Sequence, residues 1–237
     1  MERALDSLLP RHCILCGCAS GSENLCPPCA ADLPRIGHSC RQCALPLSRF
    51  PDAYCGQCLA RPPPWDSAAA ALLYRFPADQ LVCRFKFGRN LACGRVLSQE
   101  LLRAVGHRSG RLPSCILPVP LHRRRHLSRT FNQSDLLAGY LGKGLGIPVV
   151  RSVLRRRRQT SAQSGLDAAE RKKNIGGAFG CRISSRRQPL MDRVVLVDDV
   201  MTTGATLAEC TAVLKKAGAG SVWVWVAARA EGPHQLA

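Results

Sequence analysis

Apolar and polar positions along the chain follow two alternating periods. The run VVLV at 194–197 is continuous, apolar and β-branched, the pattern of a parallel strand buried on both faces, and it stops abruptly on two adjacent carboxylates, Asp198 and Asp199. Hydroxyls and a glycine follow (Thr202, Thr203, Gly204, Thr206). LAECTAVLKKAG then carries apolar residues at helical spacing and closes on Lys215, Lys216 and Gly218, which predicts a helix and its end. Upstream, SAAAALLYRF reads as a strand, and DQLVCRFKFGRN with LACGRVLSQELLRAVG as one or two helices. A short strand at 116–119 ends in Pro118-Val119-Pro120, which halts a ladder and fixes the chain's direction. Phe131-Asn132-Gln133 opens another helix, and 149–154 reads as a further strand. The fold class expected is α/β, a parallel sheet flanked by helices.

Two stretches break this pattern. QTSAQSGL, beginning at Gln159, has small polar residues and no apolar period, so it is expected to be a mobile loop, with AAERKKN a short helix leading back to Ala178-Phe179. The first sixty residues have few large apolar side chains but nine of the chain's fourteen cysteines. Eight of these form Cys-x-x-Cys pairs: Cys13/Cys16, Cys26/Cys29, Cys40/Cys43 and Cys55/Cys58. Each pair can present two thiolates to one tetrahedral Zn²⁺, so the set makes two closed structural sites, paired either sequentially or in an interleaved way. Cys18 is left over. Ligation would supply most of the segment's folding free energy, about 10 kcal/mol or more per site. A stiff linker, Arg61-Pro62-Pro63-Pro64-Trp65, divides the chain into 1–61, a double zinc ribbon, and 62–237.

No twenty-residue apolar run and no signal-like segment is evident, so a cytoplasmic protein without a membrane span is expected. Charge is uneven. Residues 1–60 balance five basic side chains against five acidic ones, whereas 121–187 hold sixteen Lys and Arg against three acids, most of the chain's net +18. The zinc segment thus lacks a cationic face, while the 121–187 stretch suits a polyanion, most simply single-stranded nucleic acid.

The turn after Asp199 supplies the remaining chemistry. Backbone N–H groups, threonine hydroxyls and a helix N-terminus at the carboxyl end of a strand suit a phosphate. The two carboxylates suit ribose hydroxyls and a shared Mg²⁺. A phosphorylated ribose satisfies both. Lys86, between two phenylalanines, reads equally as a side chain lying along a core helix or as one facing this pocket.

DDVMTTGAT resembles the binding loop for 5-phosphoribosyl-1-pyrophosphate (PRPP) of type I phosphoribosyltransferases. The resemblance implies that Asp198, Asp199, Met201, Thr202, Thr203, Gly204, Ala205 and Thr206 bind PRPP. It likewise implies that the 118–129 loop binds pyrophosphate, with Val119, Pro120, Arg124, Arg129, Asn132 and Gln133 as its residues. PVPL, the arginine-rich turn and FNQ together resemble the ComF family, which joins a zinc ribbon to a phosphoribosyltransferase-like domain, and this resemblance covers nearly the whole chain. Gln159, Thr160, Gln163, Arg171 and Asn174 match the family pattern in a loop expected to close over PRPP.

Family resemblance further implies Mg²⁺-PRPP binding, handling of single-stranded DNA in natural transformation, and a helicase-like competence partner. The alternative is an active phosphoribosyltransferase acting on an unidentified acceptor, with catalysis by positioning and charge stabilisation.

Overall fold

The structure is a computed structural model and describes residues 11–21, 23–48, 53–106, 112–121, 131–158, 176–183 and 191–231. In the cysteine-rich segment β1 (Arg11–His12) pairs antiparallel with β2 (Ala19–Gly21), and two short helices follow, α1 (Pro27–Ala31) and α2 (Gly56–Ala60). Beyond it come β3 (Ser67–Leu73), α3 (Ala78–Lys86), α4 (Leu91–Gly106), β4 (Cys115–Pro118), α5 (Gln133–Leu145), β5 (Leu154–Arg156), β6 (Phe179–Cys181), β7 (Arg193–Met201), α6 (Ala205–Lys216) and β8 (Ser221–Arg229).

β3, β8, β7 and β4 form a parallel sheet in that spatial order. The central pair carries the continuous apolar runs because helices cover both faces. Val195 and Val197 join a core with Leu81, Phe85, Leu97, Leu101, Leu137 and Leu141 of α3, α4 and α5. Val194 and Leu196 pack on the other face with Leu207, Cys210 and Leu214 of α6. The expected α/β fold, a parallel sheet flanked by helices, is what the chain forms, and the uncertain helical stretch resolves into two helices, α3 and α4. Asn132 caps α5, its side chain accepting from the Ser134 N–H, and Gly146 ends that helix in the left-handed conformation, φ 68°.

The predicted strand at 149–154 is corrected. Val149 makes one parallel bridge to Ile116, the chain bends, and a strand begins only at Leu154, paired antiparallel with β6. The cause lies in β4. Ile116 uses its outward N–H and carbonyl on Pro148 O (2.9 Å) and Val150 N (2.8 Å); the next outward residue is Pro118, which has no N–H to continue the ladder.

The opposite edge of the sheet is closed by the zinc-binding segment. Ile36 N donates to Ala71 O (2.9 Å), Leu73 N donates to Pro34 O (2.8 Å), and Arg35 forms an antiparallel bridge with Leu72. Such pairing covers an edge strand that would otherwise be open to other chains. Arg35 also donates through Nε (2.7 Å) and Nη2 (3.0 Å) to Glu100 of α4, which is buried and takes a second arginine, Arg103. Cys13, Leu25, Cys26 and Leu33 enter the same core as Phe85.

The proline cluster is also not a free spacer. Trp65 is 4% exposed, its indole N–H donating to Gln42 O, while Gln42 Nε2 donates to Pro63 O and Trp65 O, both at 3.3 Å.

Candidate functional site

β7 reaches the carboxyl edge of the sheet and delivers Asp198 and Asp199 there. Ser134, in the first turn of α5, donates its hydroxyl to Asp198 Oδ1 (2.8 Å), and the Asp199 N–H donates to the same oxygen (2.9 Å). Lys86, the last residue of α3, places Nζ 3.1 Å from Asp199 Oδ1. Lys86 is thus ion-paired with the acidic pair at the end of a core helix. Desolvation and the neighbouring Asp199 charge push the Asp198 carboxyl up to about 7, while Ser134, Lys86 and the Asp199 N–H pull it the other way.

The turn that follows is built for exposure. Thr202 and Thr203 are exposed, Thr203 Oγ1 accepts from Ala205 N (3.4 Å), and Ala205 starts α6, so the helix N-terminus points out of the same edge. Gly204 has φ +75° and lies under Trp65; a Cβ there would meet Trp65 Cη2 at 2.7 Å. Both the conformation and the space demand glycine. Ala205 and Thr206 are half-buried in the first turn of α6. Met201, by contrast, is 2% exposed in the core below the turn, so what it offers at this edge is main chain.

Of the 118–133 residues, Asn132 Nδ2 donates to Val119 O (3.0 Å), tying the end of β4 to the start of α5. Pro120 is half-buried. Gln133 is 1% exposed; its Nε2 donates to Lys86 O (3.5 Å) and its Oε1 has no hydrogen-bond partner. These residues hold α3, β4 and α5 together around Asp198 and Asp199. Arg124, Arg129, Gln159, Thr160, Gln163, Arg171 and Asn174 lie outside the described residues.

Two functional contacts were not anticipated from sequence. Ser134 follows Asn132-Gln133 directly, so its place in the first turn of the expected helix was the available signal. Arg229 ends β8 and is buried; its Nε donates to Cys43 O (2.9 Å) and its Nη1 to Met201 O (3.0 Å), Thr202 O (2.6 Å) and Ala230 O (2.6 Å). A cation closing an apolar strand was its signal, the mirror image of the aspartate pair.

The cysteines settle their pairing. Cys13, Cys16, Cys26 and Cys29 form one cluster and Cys40, Cys43, Cys55 and Cys58 another, the sulfurs of each lying within 4.8 Å of one another. The pairing is therefore sequential. A tetrahedral zinc with Zn–S bonds near 2.3 Å spaces its sulfurs about 3.8 Å apart, so both clusters fit that ion and leave no open coordination position. Burial raises the Cys13 thiol, but N–H donors from Cys16, Cys26 and Leu15 bring it down to about 6. The same contest, with donors from Cys55, Gln42 and Cys43, holds Cys40 at about 7. Main-chain N–H donors thus favour the thiolate, the form that binds metal, at Cys13 and Cys16 in the first cluster and at Cys40 in the second.

Comparison with known proteins agrees with this division of chemistry. A double zinc ribbon domain model matches residues 4–59 and a phosphoribosyl transferase domain model matches residues 126–235. Competence protein F of Haemophilus influenzae is 36% identical over 212 residues, covering 88% of this chain and 91% of that protein. DNA utilization protein YhgH of Salmonella typhimurium is 39% identical over 227 residues, 93% of this chain and 98% of that protein. Among solved structures, the glutamine phosphoribosylpyrophosphate amidotransferase of B. subtilis aligns over 62% of this chain and 30% of its own at 18% identity, with a TM-score of 0.40, too distant to add weight. Among the described residues no helix is long and apolar enough to cross a membrane.

Proposed function

The chain belongs to the family of competence protein F and DNA utilization protein YhgH, and from that premise we propose that it binds Mg²⁺-PRPP, or a related ribose phosphate, and single-stranded DNA in the uptake and use of DNA. The observation that carries the ligand is the convergence at one sheet edge of Asp198 held by Ser134, Asp199 held by Lys86, and the exposed Thr202-Thr203 turn before α6. Existing contacts fall on Oδ1 of each aspartate. Their Oδ2 atoms would accept from ribose hydroxyls and ligate Mg²⁺, as hard-oxygen ligands suit that ion. The ion would neutralise charge between the carboxylates and the pyrophosphate; orienting the ribose and its 5-phosphate would fall to the aspartates and the turn. The division near residue 62, with the zinc segment as a docked module, is supported by the double zinc ribbon match over 4–59 and the phosphoribosyl transferase match over 126–235.

DNA is supported by the names of the relatives and by the charge of 121–187, within which Arg151, Arg155, Arg157 and Arg158 are exposed. Arg124, Arg129 and the 159–174 residues are proposed to complete the pocket from the loops that carry them. Location in the cytoplasm and a helicase-like partner accompany this role.

The test is an equilibrium titration of zinc-loaded protein with Mg²⁺-PRPP, with and without a short single-stranded oligonucleotide, while pyrophosphate release is followed. Saturable binding of both ligands, lost for PRPP in Asp199→Ala, is the expected result. Pyrophosphate release on adding an acceptor would make the protein a transferase, and absence of PRPP binding would sink the reading.

A further inference from the structure

The turn between Cys40 and Cys43, part of the second Cys₄ cluster, reaches the 201–204 turn by two separate routes. In the first, Gln42 holds Trp65 by both its main-chain oxygen and its side-chain amide, and the Trp65 ring lies against Gly204. In the second, Cys43 O accepts from Arg229 Nε, and the same guanidinium takes the carbonyls of Met201 and Thr202. We propose that the second Cys₄ centre braces the phosphate turn, so that metal bound there sets how well the turn holds its ligand, and that Arg229 and Trp65 are the positioning residues of this coupling.

Peptide geometry explains what the brace does. A trans peptide is planar, with its carbonyl and N–H pointing in opposite directions. Turning the Met201 and Thr202 carbonyls inward onto Arg229 therefore turns the N–H groups of Thr202 and Thr203 away from it, to the exposed side of the turn where a phosphate would sit. Removing the guanidinium would take this donor from the Thr202 carbonyl and free its peptide to rotate, while Met201 O would keep the Ala230 N–H (2.9 Å).

The knuckle itself depends on its ligands. Ala44, directly after Cys43, is fully buried with φ +57°, a left-handed conformation unfavourable for any residue with a side chain and kept only where its surroundings impose it. The Ala44 N–H closes the knuckle on Cys40 O (2.9 Å). Arg229 is buried with its bonds going to main-chain carbonyls, and the negative charges that favour its cation are the thiolates of Cys43, Cys58 and Cys55. A metal-thiolate centre supplies both the fixed turn and the counter-charge. The first centre packs elsewhere, on α3, where Arg84 donates to Ile14 O.

Only the affinity half of this inference rests on the PRPP reading, so the test has two readouts. Amide hydrogen exchange of 203–206, read at Ala205, whose N–H is bonded within the turn to Thr203 Oγ1 (3.4 Å), is measured without ligand in the zinc-loaded full chain, and Mg²⁺-PRPP affinity is measured separately. Cys58→Ser, in the second centre, should speed exchange at 203–206 and weaken PRPP binding, each by about tenfold, the effect of losing one charge-assisted bond. Exchange in β7 and β8 should stay unchanged. Cys29→Ser, which costs the first centre its zinc, should loosen the first knuckles and leave exchange at 203–206 as it was. Equal acceleration in both variants, or none in Cys58→Ser, overturns the proposal.

Should Cys58→Ser not fold, Arg229→Lys and Trp65→Phe decide. Both keep bulk but lose the fork or the indole N–H. Each should accelerate exchange at 203–206 several-fold with two zinc ions still bound, and unaltered exchange overturns the brace. If the wild type fails to bind PRPP, the ligand reading falls while the exchange result still decides the coupling.

Discussion

Asp198→Asn is expected to make the ligand-free protein more stable at pH 8 while abolishing Mg²⁺-PRPP binding. Desolvation and Asp199 push the Asp198 carboxyl up to about 7, against about 3.9 for an unperturbed aspartate. The folded protein therefore keeps a proton that the unfolded chain releases near pH 4. Between those values the folded state binds more protons, so stability falls as pH rises toward 7 and stays low above it. At 1.36 kcal/mol per pKa unit the penalty has a ceiling of about 4 kcal/mol, and strong coupling to Asp199 makes on the order of 2–4 kcal/mol the working range.

Asparagine removes the ionisation while keeping the shape and an acceptor for Ser134. For a chain of this size the gain amounts to roughly 5–15 °C in melting temperature at pH 8. The assay is thermal unfolding of wild type and variant at pH 5 and pH 8, both zinc-loaded and without Mg²⁺ or PRPP. Acid effects on the zinc thiolates are common to both proteins and cancel in the difference. A gain at pH 8 that shrinks to roughly a third at pH 5, where the unfolded aspartate is already mostly ionised, is the expected pattern. A difference independent of pH, or a loss at pH 8, would refute the argument that this carboxylate is held at a cost.

Lys86→Met removes a cation that lowers the Asp198 pKa, so the pH midpoint for Mg²⁺-PRPP binding should move upward; a titration series showing a fixed midpoint would exclude Lys86 from the site's electrostatics. Gly204→Ala puts a Cβ 2.7 Å from Trp65 at φ +75°, and should cost about 1–2 kcal/mol from backbone strain alone, read as a lowered melting temperature with altered tryptophan fluorescence. Thiol modification of the full chain in the presence of a chromophoric chelator should release two zinc ions per chain, and a single equivalent would remove one of the Cys₄ sites.

Much of the frame could be read along the chain because its signals are local. The run from Val194 to the aspartates and on through LAECTAVLKK lies within a few turns of sequence, and it becomes β7, the turn and α6, although β7 runs past the aspartates to Met201 instead of ending on them. Cys-x-x-Cys pairs are equally local, but their assembly is not, which left sequential and interleaved pairing open until the clusters were seen in space. The strand misread at 149–154 shows the limit from the other side. Val149-Val150 has strand character, but whether it can extend is decided by the missing N–H of Pro118, more than thirty residues earlier.

Trp65 and Arg229 escape local reading for a different reason. In sequence Trp65 ends a proline-rich spacer, and Arg229 closes an apolar strand 186 residues from Cys43. Each satisfies its polar atoms on main chain from the zinc-binding knuckle and presents its bulk or its charge to the turn after β7. An arginine buried at the end of β8, paired in register with Met201, is costly unless carbonyls and anionic thiolates surround it. Both central strands thus close on charge at the same edge: the β7 aspartates, proposed to hold the ligand, and the β8 arginine, whose bonds go to the turn beside them. The proposed brace gives the zinc ribbon a reason to be docked against the sheet instead of hanging from its linker, because Arg229 and Trp65, which touch the turn, are themselves held by Cys43 and Gln42 of the ribbon.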